Sequence, residues 1–222
     1  DIFPIMTINP HWPEIVSALL PHQRPTDRPD LIARVFELKR KCLMKEIDKN
    51  GVFGRKVAHV YTIEYQKRGL PHMHALLFLH GPDKIRTCDQ VDRLVCAELP
   101  NPIEDPYLFD TVKRCMIHGP CGLRNPRAPC MENGKCTKRY PKAFAETTTM
   151  DESGYPIYRR RDNGKFYFIG TQNKIKVDNR NVVPYNPHLS RMFDCHINVE
   201  ACAGFRCVKY IHKYIYKGHD RT

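Results

Sequence analysis

The sequence predicts an α+β fold in which a central antiparallel β-sheet is flanked by helices. Three observations carry this. Strand-like segments come as hairpins, not in regular alternation with helices. The clearest hairpin joins VFGRKVAHVYTIEYQ (52–66) to HMHALLFLH (72–80) through the turn KRGLP. Helical periodicity is confined to a few stretches, chiefly one after Asp30 and one near Gly218.

In chain order, IFPIMTI (2–8) reads as a strand that Pro10 and Pro13 prevent from continuing, and Glu14 opens a short helix. PHQRPTDRPD is a proline-rich loop. From Asp30, Leu31, Val35, Leu38, Cys42 and Leu43 recur at helical spacing, and the pattern ends at Asn50-Gly51. After the hairpin, residues 83–114 combine a helical piece around 89–98 with proline-bounded loops. Residues 115–142 read as a cysteine-rich loop. YPIYRRRDNGKFYFIG (155–170) reads as a second hairpin turning at Asp162-Asn163-Gly164, with a basic first arm. A further strand is expected at 194–199, and GFRCVKYIHKYIYKG as a helix closing at Gly218.

The chain has 222 residues, a formal net charge of +12 and a pI near 9.3. It is long enough to bury a substantial core. The positive charge is spread along the chain and favours a polyanionic partner, nucleic acid first and an anionic membrane surface second. No stretch approaches the about 18 apolar residues of a membrane span, and no secretory leader opens the chain. It starts at DIFPIMT, already strand-like, so a segment of a longer protein is expected. Ten cysteines in a basic chain of this size, several beside a histidine, favour metal binding in a reducing compartment over a disulfide framework.

The motif with the sharpest chemical meaning is PHMH. On a strand, His72 and His74 project from one face and Met73 from the other. Two imidazoles at that spacing suit one metal ion; the alternative is an ordinary hydrogen-bonded pair. Across the turn, Glu64 and Gln66 share a face, and either would supply a third, oxygen ligand. Mixed imidazole and oxygen ligation with open positions suits a divalent ion such as Mg²⁺ or Mn²⁺ that also holds a phosphate oxygen.

In KYIHKYIYKG, Tyr210 and Tyr214 fall on one helix face, with Lys209, Lys213 and Lys217 on the adjacent stripe. Aromatic stripes are mostly core, but this one is flanked by cations. A phenol, weak as a nucleophile at its ordinary pKa near 10, gains from a cationic neighbour. Farther upstream, Cys115, His118, Cys121, Cys130 and Cys136 offer five candidates for the four places of a tetrahedral structural zinc site. Nearby Arg124, Arg127, Lys135, Lys138 and Arg139 either contact phosphate or solvate the loop. Cys195, Cys202 and Cys207 are not spaced for a site with His196 and read as core residues. Trp12, alone, reads as a core anchor before a base-stacking surface.

Together, PHMH on a strand and Tyr-x-x-x-Tyr on a late helix resemble the HUH endonucleases, named for His-hydrophobic-His. The chain looks most like the Rep nuclease domain of Helitron rolling-circle transposases. The matching stretches are FPIMTINPHWPEI, EYQKRGLPHMHALL, MIHGPCG with PCMENGKC and YPKAF, VVPYNPHLS with HINVEAC, and KYIHKYIYKGHDR. They run in the family's order along nearly the whole chain.

The resemblance implies an HUH-like domain over 1–222, with a zinc-knuckle-like insertion at 115–142, that nicks and transfers single-stranded DNA with Mg²⁺ or Mn²⁺. Carried over, His72 and His74 are the metal ligands, Gln66 the third ligand with Glu64 as its alternative, and Tyr210 and Tyr214 the nucleophiles. His118, Cys121, Cys130 and Cys136 lie in matching blocks and are the preferred zinc ligands, leaving Cys115 spare. Lys209, Lys213, Lys217, Arg68 and Asn9 are the expected DNA contacts, with a hydrogen bond within its own turn as the alternative for Asn9. The implied partners are single-stranded DNA at transposon ends and target, and a helicase fused downstream; no membrane is implied. The implied setting is intracellular, and nuclear in a eukaryote. Two other readings are a zinc-containing DNA-binding module that does not cut, and a phosphodiesterase in which water attacks.

Overall fold

The computed structural model of the chain describes residues 1–65, 69–170 and 175–202. Along the chain run β1 (Ile2–Thr7), α1 (Pro13–Val16), α2 (Pro29–Asp48), β2 (Lys56–Tyr65), β3 (Pro71–Leu79), α3 (Cys88–Leu94) and α4 (Pro106–Cys115). They are followed by β4 (Met131–Glu132), β5 (Lys135–Cys136), β6 (Thr149–Met150), β7 (Pro156–Ile157), β8 (Phe166–Ile169), β9 (Ile175–Asp178), α5 (Pro187–Phe193) and β10 (Ile197–Ala201). The expected helix at 204–218 lies outside the described residues.

The central sheet has the order β10-β1-β3-β2, every pair antiparallel. Alternation gives it two unlike faces. One row on the first face runs Ile197–Met6–Met73–Ile63, and Ile2 pairs Leu77 and Ala201 in another. These residues join the main core, which α2 covers with Ile32, Val35, Phe36, Leu43, Met44 and Ile47. Val35 and Leu43 are buried as the periodicity predicts. Leu38 and Cys42 instead face solvent, because packing selects the neighbouring stripe that carries Phe36 and Ile47.

Two helices stand where the sequence predicts none: α4 falls among the expected proline-bounded loops, and α5 in a stretch with no assigned element. Asp105 caps α4 by accepting from the Leu108 amide, and Asn186 caps α5 by accepting from the Leu189 amide. Each has proline at its first position, a favourable helix start. Conversely, the helical piece expected at 89–98 stops at Leu94. Val95 is extended, and Cys96 exchanges backbone hydrogen bonds with Tyr185.

The hairpin expected over 155–170 does not form. β7 pairs back with β6, Arg160 bridges Ala145, and β8 pairs forward with β9. The basic arm is held by interior partners. The Arg160 guanidinium is buried and donates to the carbonyls of Ala97 (3.2 Å), Asn179 (2.7 Å) and Val182 (2.7 Å), and Arg161 pairs with buried Glu98 at 2.6 Å. The strand expected at 194–199 begins only at Ile197, because Asp194, with φ 45°, closes α5 in the left-handed region. No helix among the described residues is long and apolar enough to cross a membrane.

Candidate metal centres

The second face of the sheet carries polar residues at one end, beside a smaller apolar cluster of Phe3, Ile5, Leu76 and Cys202. Met73 is fully buried in the core, so His72 and His74 project from the opposite side. Their ring centroids are 4.5 Å apart. His72 is the register partner of both Thr7 and Glu64, and His74 lies between Ile5 and Thr62. Thr7 Oγ1 is 2.5 Å from Nδ1 of His72, which leaves Nε2 of that ring for another partner. Burial, and then the imidazoles of His74 and His196, push His72 down to about 3. It is therefore neutral near pH 7, the protonation state a metal ligand needs.

The sequence reading placed no role on His196, yet it extends the same row. The Thr7 amide donates to the His196 carbonyl at 2.9 Å, so His196, Thr7, His72 and Glu64 follow one another across the sheet. Nδ1 of His196 is 2.8 Å from the Cys115 carbonyl. A carbonyl only accepts, so this nitrogen carries the hydrogen and Nε2 keeps the lone pair. Burial lowers the pKa of this ring as well. The signal in the sequence was the alternation in HINVEA: His196, Asn198 and Glu200 share one face, and Ile197, Val199 and Ala201 pack in the core.

Of the other residues assigned to this centre, Glu64 is described and lies opposite His72. Gln66, Arg68, Lys209, Tyr210, Lys213, Tyr214 and Lys217 lie outside the described residues. Asn9 is buried: its Nδ2 donates to the Asp194 carbonyl at 2.7 Å, and its Oδ1 accepts from the His11 amide at 2.9 Å. Its amide is thus engaged within the protein, with the bond to His11 being the in-turn alternative to a DNA contact. Trp12 is core, 2% exposed, and donates from Nε1 to the Phe193 carbonyl at 2.7 Å. The segment around NPHW therefore ties β1 to the junction of α5 and β10.

The second centre is the cysteine loop. The ligand atoms of His118, Cys121, Cys130 and Cys136 all lie within 4.8 Å of one another. Local structure brings them together. β4 and β5 turn tightly at Asn133 and Gly134, both at positive φ (49° and 75°), and this carries Cys136 back toward Cys130. The His118 amide donates to Asn181 at 2.8 Å, and its ring stacks on Tyr140 with centroids 4.1 Å apart. Nε2 of His118 is 3.6 Å from Sγ of Cys136.

Three thiols and one imidazole at these separations fit a tetrahedral ion of the zinc type. Burial, and then the adjoining Cys136 and Cys130, push Cys121 up to about 12, the crowding of thiols that a divalent cation relieves. Cys115 is outside the group, and burial raises its own thiol to about 11.

Residues 1–77 match a family model described as the Helitron helicase-like domain at the N-terminus. The matched stretch spans β1, α1, α2, β2 and most of β3, and so includes His72 and His74. No curated protein matches the chain.

Proposed function

We propose that this domain nicks and rejoins single-stranded DNA in Helitron transposition, as an HUH-type endonuclease. The observation that carries the reading is that the Helitron-like stretch ends in a strand whose two histidines share the polar face of the sheet. His72 and His74 would hold Mg²⁺ or Mn²⁺, with Gln66 or Glu64 as third ligand. When bound, such an ion polarises the scissile phosphate.

Tyr210 or Tyr214 attacks that phosphorus, the 3′-oxygen leaves and takes up a proton, and the 5′-phosphate stays joined to the phenol oxygen. The phosphoester is conserved, so a later 3′-hydroxyl reverses the step without ATP. Thr7 would fix the ring of His72, and the zinc-type centre would stabilise the 115–142 loop. The helicase that unwinds the substrate would be fused to this domain in the full protein.

The test is incubation of labelled single-stranded DNA carrying a transposon-end sequence with Mn²⁺. A denaturation-resistant protein–DNA adduct is expected, and it should vanish in a Tyr210→Phe/Tyr214→Phe variant. An adduct that persists there rules out these nucleophiles. Cleavage without an adduct indicates attack by water, and binding without cleavage indicates a DNA-binding module.

A further inference from the structure

The antiparallel pair β8–β9 holds two phenylalanine rings in solvent. Its inner side is pinned to the protein: Tyr167 donates to the Lys113 carbonyl at 3.3 Å and packs edge-on against Phe109, while its register partner Val177 is buried. By alternation, Phe166 and Phe168 project from the other side, and they are 49% and 46% exposed. Their rings meet edge-on with centroids 5.6 Å apart. The ammonium of Lys176, the register partner of Phe168, lies 4.2 Å from the Phe166 centroid. Folding alone gives no reason to keep two phenylalanines in water where threonine or lysine would suit a strand.

The surroundings are cationic. Lys176 also lines a cleft of about 380 Å³ together with Arg124 and Arg180. Arg124 donates to the Lys176 carbonyl at 3.5 Å, and Lys165 is exposed one residue before Phe166. The carboxylate at this edge, Asp178, is held by Arg180 at 2.7 Å. Exposed aromatic rings edged by cations match an unpaired nucleobase next to a phosphate backbone.

We propose that Phe166 and Phe168 form a stacking platform for the bases of single-stranded nucleic acid, whose backbone passes Lys176, Arg124 and Arg180. The inference deepens the nicking reading by giving the substrate strand a binding place, yet it needs no cleavage.

The test uses the zinc-loaded chain without Mg²⁺ or Mn²⁺, fluorescence anisotropy, and three probes of equal length: oligo-dT, oligo-rU and an abasic DNA strand. Phe166→Ala/Phe168→Ala should keep the wild-type melting temperature and weaken oligo-dT binding at least tenfold, with the slope of log K against log salt unchanged. Oligo-rU should lose equally, because stacking ignores the 2′-hydroxyl, and the abasic strand should lose little. Lys176→Gln should instead flatten the salt slope, by about 0.7 for one phosphate contact on a single strand. Wild-type oligo-dT affinity in the alanine variant, an equal loss on the abasic strand, or no binding by the wild type overturns the platform. If this pattern holds while no covalent adduct ever forms, the nicking reading fails and the platform stands.

Discussion

The hydroxyl of Thr7 lies 2.5 Å from Nδ1 of His72. One strand thus orients the imidazole of its neighbour. With the lone pair on Nε2, Nδ1–H donates to Thr7, the outer-shell arrangement that fixes tautomer and ring orientation in metal-binding histidines. Replacing Thr7 by valine keeps the shape and removes this bond. Thr7→Val should weaken Mn²⁺ binding by about 10- to 100-fold, read by calorimetry, with little change in melting temperature. Unchanged affinity would deny Thr7 its positioning role.

The cysteine loop should depend on metal for its structure. It packs few apolar side chains, and its turns depend on His118, Cys121, Cys130 and Cys136 meeting. The reduced protein should carry one equivalent of zinc, measured by elemental analysis, and Cys130→Ser/Cys136→Ser should carry none. Stripping the metal should make residues 118–140 sensitive to protease while the central sheet stays protected. Full zinc content in the double variant would exclude this ligand set.

Trp12 should behave as a core residue. It fills a buried site under α2, with Lys39 5.2 Å from its ring centroid, and its indole bonds the Phe193 carbonyl. Trp12→Ala should cost about 3–5 kcal/mol in urea unfolding. Trp12→Phe should recover much of that, less the indole bond, worth about 1 kcal/mol. A loss under about 1 kcal/mol for the alanine variant would argue for a surface role.

Glu200 gives a pH signature. It is half-buried beside the histidine row and accepts from the Tyr158 hydroxyl at 2.8 Å, with Tyr155, Asn198, Lys142 and Arg160 around it. Burial raises its pKa above the ordinary 4.5 despite these partners. The folded protein then keeps a proton that the unfolded chain has lost, so this group costs stability as pH rises from about 4.5 through the folded value. The stability of Glu200→Gln relative to wild type should increase with pH across that window, measured by urea unfolding at several pH values. A difference that is flat or falls with pH would contradict the assignment.

The β2–β3 hairpin was legible because its signals are local: a Gly-Leu-Pro turn and strict alternation place His72, His74 and Met73 on their faces. The zinc-type ligands were legible from spacing, and the blocks matching the family already favoured His118, Cys121, Cys130 and Cys136 over Cys115, the same four whose ligand atoms meet. α4 and α5 are short, so their periodicity was weak; Asp105-Pro106 and Asn186-Pro187 were their readable start signals. The hairpin at 155–170 was misassigned because a local turn signal at Asp162-Asn163-Gly164 lost to interior partners for Arg160 and Arg161. His196 could not be placed beside His72 from sequence, since the row that joins them crosses three strands far apart in the chain.

In the proposed site, the imidazoles of His72 and His74 hold the divalent ion. Electron paramagnetic resonance of Mn²⁺ added to the zinc-loaded protein tests it most directly. One bound ion is expected in the wild type. In His72→Ala/His74→Ala the bound signal should disappear while zinc content and melting temperature are retained. Bound Mn²⁺ of unchanged affinity and line shape in that variant would place the ion elsewhere and remove these histidines from the metal site.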